Sequence, residues 1–218
     1  LLPNLTHIDP RFRGLPYDPE NKYCVPYNWG TTGIAVNTLR IKKKITGWDA
    51  LWDEAFKGQV SILSEPRAGF LPALKRLGYS VNTTDRAELE RARDLLIQLK
   101  PLLKAFSSDK YLDLLREGKV WIAVGYSGDV IKLKNEKPEI EYVIPMEGTD
   151  IWVDNICIPY ASENRELAHK FINYRLRPEV AAEITNETGF ATANLAAKKF
   201  IKPAVLTNPT VFPSEEIL

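Results

Sequence analysis

The stretch "VWIAVGYSGDV", residues 120–130, decides how the rest of the chain is read. Its apolar run from Val120 to Val124 is too short for a typical helix and is rich in β-branched residues. It therefore reads as a buried strand that ends at Gly125 and opens a helix. A strand hidden on both faces belongs to a parallel sheet covered by helices.

The same grammar extends in both directions. Residues 23–37 predict a strand, a Gly-Thr-Thr-Gly break and a second strand. Residues 45–63 predict a helix capped by Thr46 or Gly47, with Trp48, Leu51, Trp52 and Ala55 as its buried stripe, and then a strand. Helices are expected over 66–77, 85–106 and 107–119, with Pro101 kinking or ending the long one and Gly118 stopping the last. Strands follow at 139–145 and 150–160. Two closing helices are expected near 162–176, capped by Ser162, and 178–188, opened by Pro178. Strand and helix alternate without repeats, which predicts α/β architecture with mostly parallel strands. In such sheets ligands sit where strands end.

Composition narrows the class. The 218 residues are 44% hydrophobic and 26% charged, with a formal net charge of +1. That is an ordinary folded chain, with no basic stripe for nucleic acid and no apolar run near the roughly 20 residues that span a bilayer. The opening residues carry neither an initiator Met nor a signal peptide, so targeting is not written there. The two cysteines, Cys24 and Cys157, stand in "YCVPY" and "ICIPY" and are too far apart for a CxxC motif. Two buried free thiols and a disulfide between neighbouring strands are both open readings.

Catalytic patterns are weak. His7 and His169 have no partner at metal-ligand spacing, so no metal or cofactor is expected. In "GYSGD" Asp129 stands where a nucleophile elbow needs glycine, and phosphate-binding glycine loops are missing. A hydrolase using Glu65, Asp129 or Asp154 is the least favoured reading.

What stands out instead is carboxylates beside rings at strand ends. "DIWVDNICIPY" (150–160) alternates like a strand, so Trp152 and Asp154 point to one face. A half-exposed polar strand accounts for that pattern, and so does a seat for an organic cation, with a ring for its methylenes and a carboxylate for its charge. Glu65 after "VSIL", Tyr126 and Asp129 after "WIAVG", and Phe190 extend the second pattern.

"PYNWGTTGIAVN" (26–37), "WDALWDEAFKGQVSIL" (48–63), "LKRLGYSVNTTD" (74–85), "INYRLRPEVAAEI" (172–184) and "TGFATANLAAKKF" (188–200) resemble the spermidine/putrescine-binding proteins of bacterial polyamine ABC importers. The resemblance is collinear from about residue 15 onward. It implies a type II periplasmic-binding-protein fold, in which two lobes with mostly parallel sheets flanked by helices close on a ligand by hinge motion, without catalysis. It also implies a periplasmic or lipid-anchored location and membrane permease subunits as partners.

Carried over by position, the resemblance gives Trp152 and Tyr126 stacking roles and gives Asp154 and Asp129 ammonium-binding roles. Ser108 matches a pocket serine, and Phe190 stands where spermidine-type members place a tyrosine on the ligand. The family's glutamate after "VSIL" is here Ala68, beside Arg67, with Glu65 near enough to take over part of its role. The family's hinge pairing implies that the strands carrying Cys24 and Cys157 are neighbours.

Residues 30–151, completed by 200–218, are expected to form a C-terminal-type lobe. Residues 1–29 and 152–199 would then be a partial N-terminal-type lobe with the hinge crossings. Relative to the family, the leading βα units and a last helical segment have no counterpart, which would leave one lobe incomplete and in need of a homodimer or partner chain as cover. Two alternatives accompany this reading. One is a relative that takes another ligand, such as an amino acid derivative or a metal–organic anion. The other is an assembly or regulatory module with a half-built cleft.

Overall fold

The computed structural model describes residues 2–214. Among them run seven strands: β1 (Cys24–Asn37), β2 (Val60–Ile62), β3 (Leu103–Phe106), β4 (Ile122–Tyr126), β5 (Ile140–Val143), β6 (Ile151–Cys157) and β7 (Ala191–Thr192). The helices are α1 (Pro66–Arg76), α2 (Arg86–Leu99), α3 (Tyr111–Arg116), α4 (Ser127–Glu136), α5 (Arg165–Arg175), α6 (Pro178–Thr188) and α7 (Pro203–Leu206). The chain divides into two compact units, one of residues 2–30 and 152–212, the other of 31–151 with 213–214.

In the 31–151 unit the strand order is β3-β2-β4-β1-β5. β2 lies parallel to β3 and β4, while β1 runs antiparallel to both β4 and β5. Four strands therefore share one direction, and their carboxyl ends reach one edge of the sheet. Helices supply the cover, and Ile34, Val60, Ile62, Leu71, Ile122, Val124 and Leu133 fill the core between them.

Three expectations in this unit change. The Gly-Thr-Thr-Gly segment does not break β1, which runs unbroken through Thr31 and Thr32. Gly33 is there because the Tyr142 ring lies against it: an added Cβ would come within 2.6 Å of that ring. The helix expected after residue 45 is a pair of 3₁₀ turns, Trp48–Trp52 and Glu54–Phe56. Gly47 supplies no side-chain cap; instead the Glu147 carboxylate accepts the Trp48 N–H at 3.1 Å. Trp48 and Leu51 are buried, but Ala55 is exposed and lies outside the stripe. Finally, the long helix stops at Leu99, and Pro101 sits in a 3₁₀ turn that leads into β3.

In the other unit β6 and β7 both pair with β1, Asn28 lying opposite Thr192 and Trp29 opposite Ala191. Trp29 packs between Phe12, at 5.6 Å, and Phe212, at 6.2 Å. Residues 200–212, expected with the 31–151 unit, belong here. Ile201 joins Ala181, Ala182 and Ala197 in a small core, and Val205, Leu206 and Phe212 pack against it. Alanines on α6 leave the room that these larger side chains fill. Residues 215–218, also assigned to the other lobe from sequence, lie outside the described residues. The expected cap of α5, Ser162, is replaced by Asn164 at the N-cap position without a side-chain bond.

Candidate functional site

In the 31–151 unit, four predicted residues meet at the edge formed by the carboxyl ends of β2, β3 and β4. Ser64 and Glu65 follow β2, Ser108 follows β3, and Tyr126 ends β4 just before Asp129 in the first turn of α4. Ser108 ties the first two segments together: its Oγ accepts the N–H of Ser64 at 3.0 Å and of Glu65 at 3.2 Å. The exposed Glu65 caps α1, one carboxylate oxygen accepting the Ala68 N–H at 2.8 Å. That bond commits one oxygen and leaves the other for a ligand. Ala68 is 6% exposed and faces the core, so a carboxylate cannot replace it without being buried.

Asp129 is held by a residue the sequence reading missed. The Tyr111 hydroxyl donates to Asp129 Oδ2 at 2.8 Å and accepts the Tyr126 N–H at 3.3 Å. Burial first, then the Asp129 charge and this bond, hold the Tyr111 hydroxyl well above the ordinary tyrosine range, so it remains a donor. Its ring meets Tyr126 edge-on, with centroids 6.4 Å apart. The signal for Tyr111 is Gly125, because an added Cβ there would strike the Tyr111 ring. Asp129 also gains from the N-terminal turn of α4, where a negative charge is stabilised.

A second network lies beside this edge. Tyr142 donates to the Thr31 carbonyl at 2.9 Å, Thr31 N–H reaches Ser127 Oγ at 3.3 Å, and Asp150 accepts the Thr32 N–H at 3.1 Å. Burial raises the Asp150 carboxyl above the usual range, against the hydrogen bonds from Thr32 and Thr149 that pull it down.

The other unit holds the remaining three residues. Trp152 and Phe190 meet edge-on at 5.2 Å, a geometry favourable for ring pairs. Phe190 is delivered by Gly189, whose φ of 76° ends α6 in a left-handed turn. Asp154 follows two residues after Trp152 on β6, hence on the same strand face. It is exposed, yet surrounding protein displaces enough water to hold its carboxyl above the usual carboxylate range, with burial as the sole cause. Nothing among the described residues compensates that charge. No cluster of three or more histidine, cysteine and carboxylate side chains among the described residues is arranged to hold a metal ion.

Comparison with known proteins places the chain in a family. The model of the family described as bacterial extracellular solute-binding protein matches residues 1–213. The chain belongs to the bacterial extracellular solute-binding protein family. As a solute-binding protein it is similar to the spermidine/putrescine-binding periplasmic protein of Escherichia coli (strain K12). The two are 38% identical over 218 residues, which is all of this chain and 63% of that relative. The solved substrate-binding protein PotD of Streptococcus pneumoniae superposes with a TM-score of 0.86 at 32% identity, covering 98% of this chain and 66% of that one. The TpPotD lipoprotein of Treponema pallidum gives the same score and identity over 92% of this chain and 65% of its own. This solute-binding chain thus spans just under two thirds of the length of the curated relatives it matches.

Proposed function

We propose that this chain is the ligand-binding part of a polyamine importer, taking putrescine or spermidine outside the cytoplasmic membrane and delivering it to permease subunits without chemical change. The observation that carries this reading is Asp154, an exposed carboxylate with no partner among the described residues, on the strand face that it shares with Trp152 of the Trp152–Phe190 pair. A partly shielded carboxylate that no neighbouring cation neutralises is suited to a cation that arrives from outside. Asp129, oriented by Tyr111 and flanked by the Tyr126 ring, offers an ammonium a second seat of the same kind. Polyamine methylenes suit the rings, and their charges suit the carboxylates.

Within the 31–151 unit Glu65 already spends one oxygen on the Ala68 N–H, which leaves Asp129 as the freer carboxylate and favours a diamine over a triamine. The names of the relatives support polyamines as the ligand class and the periplasm or a lipid anchor as the location. Their names also support a binding role without catalysis.

Isothermal titration with putrescine, spermidine and uncharged butane-1,4-diol tests the proposal. Heat from the two amines and none from the diol is expected, with putrescine at least as tight as spermidine. Equal binding of the diol, or binding of neither amine, rejects it.

A further inference from the structure

The two cysteines are neither buried nor apart. Cys157 is exposed at the end of β6, Cys24 is half-buried at the start of β1, and their sulfurs lie 2.7 Å apart. A disulfide bond is about 2.05 Å long, so closure brings the two sulfurs together by about 0.7 Å. The backbone at Cys24 is fixed in addition. The buried Asp18 carboxylate accepts the N–H groups of Lys22, Tyr23 and Cys24 at 2.8–2.9 Å, which holds the entry to β1 in place. Both cysteines line a groove of about 410 Å³, within the size range of small-molecule sites, together with the cationic side chains of Lys22 and Arg165.

We infer that Cys24 and Cys157 are a redox pair that closes to a disulfide by exchange with a small anionic disulfide of the glutathione class. The exposed Cys157 thiolate attacks one sulfur of the donor; the donor S–S bond breaks, and one glutathione thiolate leaves and takes up a proton. Cys24 then gives up its proton and attacks Cys157 Sγ, breaking the mixed disulfide and releasing the second glutathione. Two electrons pass to the donor and two protein thiols become one disulfide. The order of attack follows from exposure. It is reinforced by the Cys24 thiol, pushed up to about 11 by its hydrogen bond to Cys157, by burial, and by the neighbouring charges of Cys157 and Asp18. Cys24 thus holds its proton until its partner has reacted.

The bridge would join cysteines 133 positions apart in sequence, both in the unit that carries Trp152 and Asp154. Closure removes freedom from the unfolded chain and pins the end of β6.

The experiment is incubation of the folded protein with oxidised glutathione, quenching with an alkylating reagent, and intact-mass and peptide mapping. Wild type is expected to lose two hydrogens, take up no alkyl group, and yield a peptide linking Cys24 to Cys157. Cys24→Ser removes the resolving thiol and should retain a glutathione adduct on Cys157. Cys157→Ser should leave Cys24 largely as a thiol that alkylates only on unfolding. Wild type carrying two alkyl groups, or glutathione on both cysteines, overturns the pair.

Discussion

The 31–151 unit is built on a large apolar core, though Leu39, Ile97, Phe106 and Met146 are exposed, whereas the unit of residues 2–30 and 152–212 leaves a larger share of its big apolar side chains in water. In the first, Trp48, Tyr111, Leu51, Ile62 and Leu71 are all within 2% of full burial. In the second, α5 alone exposes Leu167, Phe171 and Tyr174 by half or more, and Tyr23 and Tyr160 are exposed as well. One cluster of its core is built around alanines, while Ile8, Trp29, Ile172 and Leu176 are buried elsewhere in it. Apolar burial is the main favourable term in folding, so the two units do not hold their site residues with equal firmness. Asp129 rests on a filled core and a buried tyrosine. Asp154 rests on β6, a strand that pairs with β1.

The largest test of that contrast is Trp48→Ala. Trp48 is fully buried, and its indole N–H donates to the Gly148 carbonyl at 2.9 Å. Truncation should cost about 3–5 kcal/mol, read as loss of amide protection in β2 and β4 by hydrogen exchange and as a lower urea midpoint. A cost under about 1 kcal/mol, the scale of an ordinary surface change, would mean the core is less tightly filled than described.

Asp154→Asn comes next. It keeps shape and removes charge, so diamine binding should weaken by about 1.5–3 kcal/mol. The stability of the free protein should move the other way or not at all. A carboxyl raised in the folded state binds protons there that the unfolded chain has already lost. Stability therefore falls as pH rises through that window, and the cost is fully present at neutral pH. Removing the charge removes the cost. A variant that loses both binding and stability would make Asp154 a structural residue.

Tyr111→Phe should act more gently. It deletes the bond that orients Asp129 and frees the Tyr126 N–H, for about 0.5–1.5 kcal/mol of binding free energy by calorimetry. Unchanged affinity would show that α4 alone places the carboxylate. The smallest effect is with pH. Because Asp154 takes up its proton at higher pH than an ordinary carboxylate, diamine affinity should start to decline earlier on acidification than it does in Asp154→Asn. Parallel profiles would remove Asp154 from the binding reaction.

Much of the frame was legible because its signals are local. β4 and the start of α4 announce themselves by a short apolar run ending at Gly125, and α1 by Pro66 in its first turn. The misread parts depend on distant partners. "PLLKAF" continues the helical spacing of α2, and only pairing with β2 turns Leu103–Phe106 into a strand. Trp48 is capped by Glu147, about a hundred positions away, which no local pattern reveals. Among site residues, Trp152 and Asp154 show as a period-two pair. Tyr111 did not show, because its role is defined by Asp129 and Gly125 on other elements. Residues 200–212 carry apolar groups that suit either unit, and the alanines of α6 decide between them.

The central claim is that Asp154, on the strand face it shares with Trp152, holds an ammonium. The most direct measurement is calorimetric titration of putrescine into wild type, Asp154→Asn and Asp154→Glu. Asp154→Asn should lose about 1.5–3 kcal/mol toward putrescine, and Asp154→Glu, which keeps the charge, should lose less. An Asp154→Asn variant that binds putrescine as wild type does would contradict it.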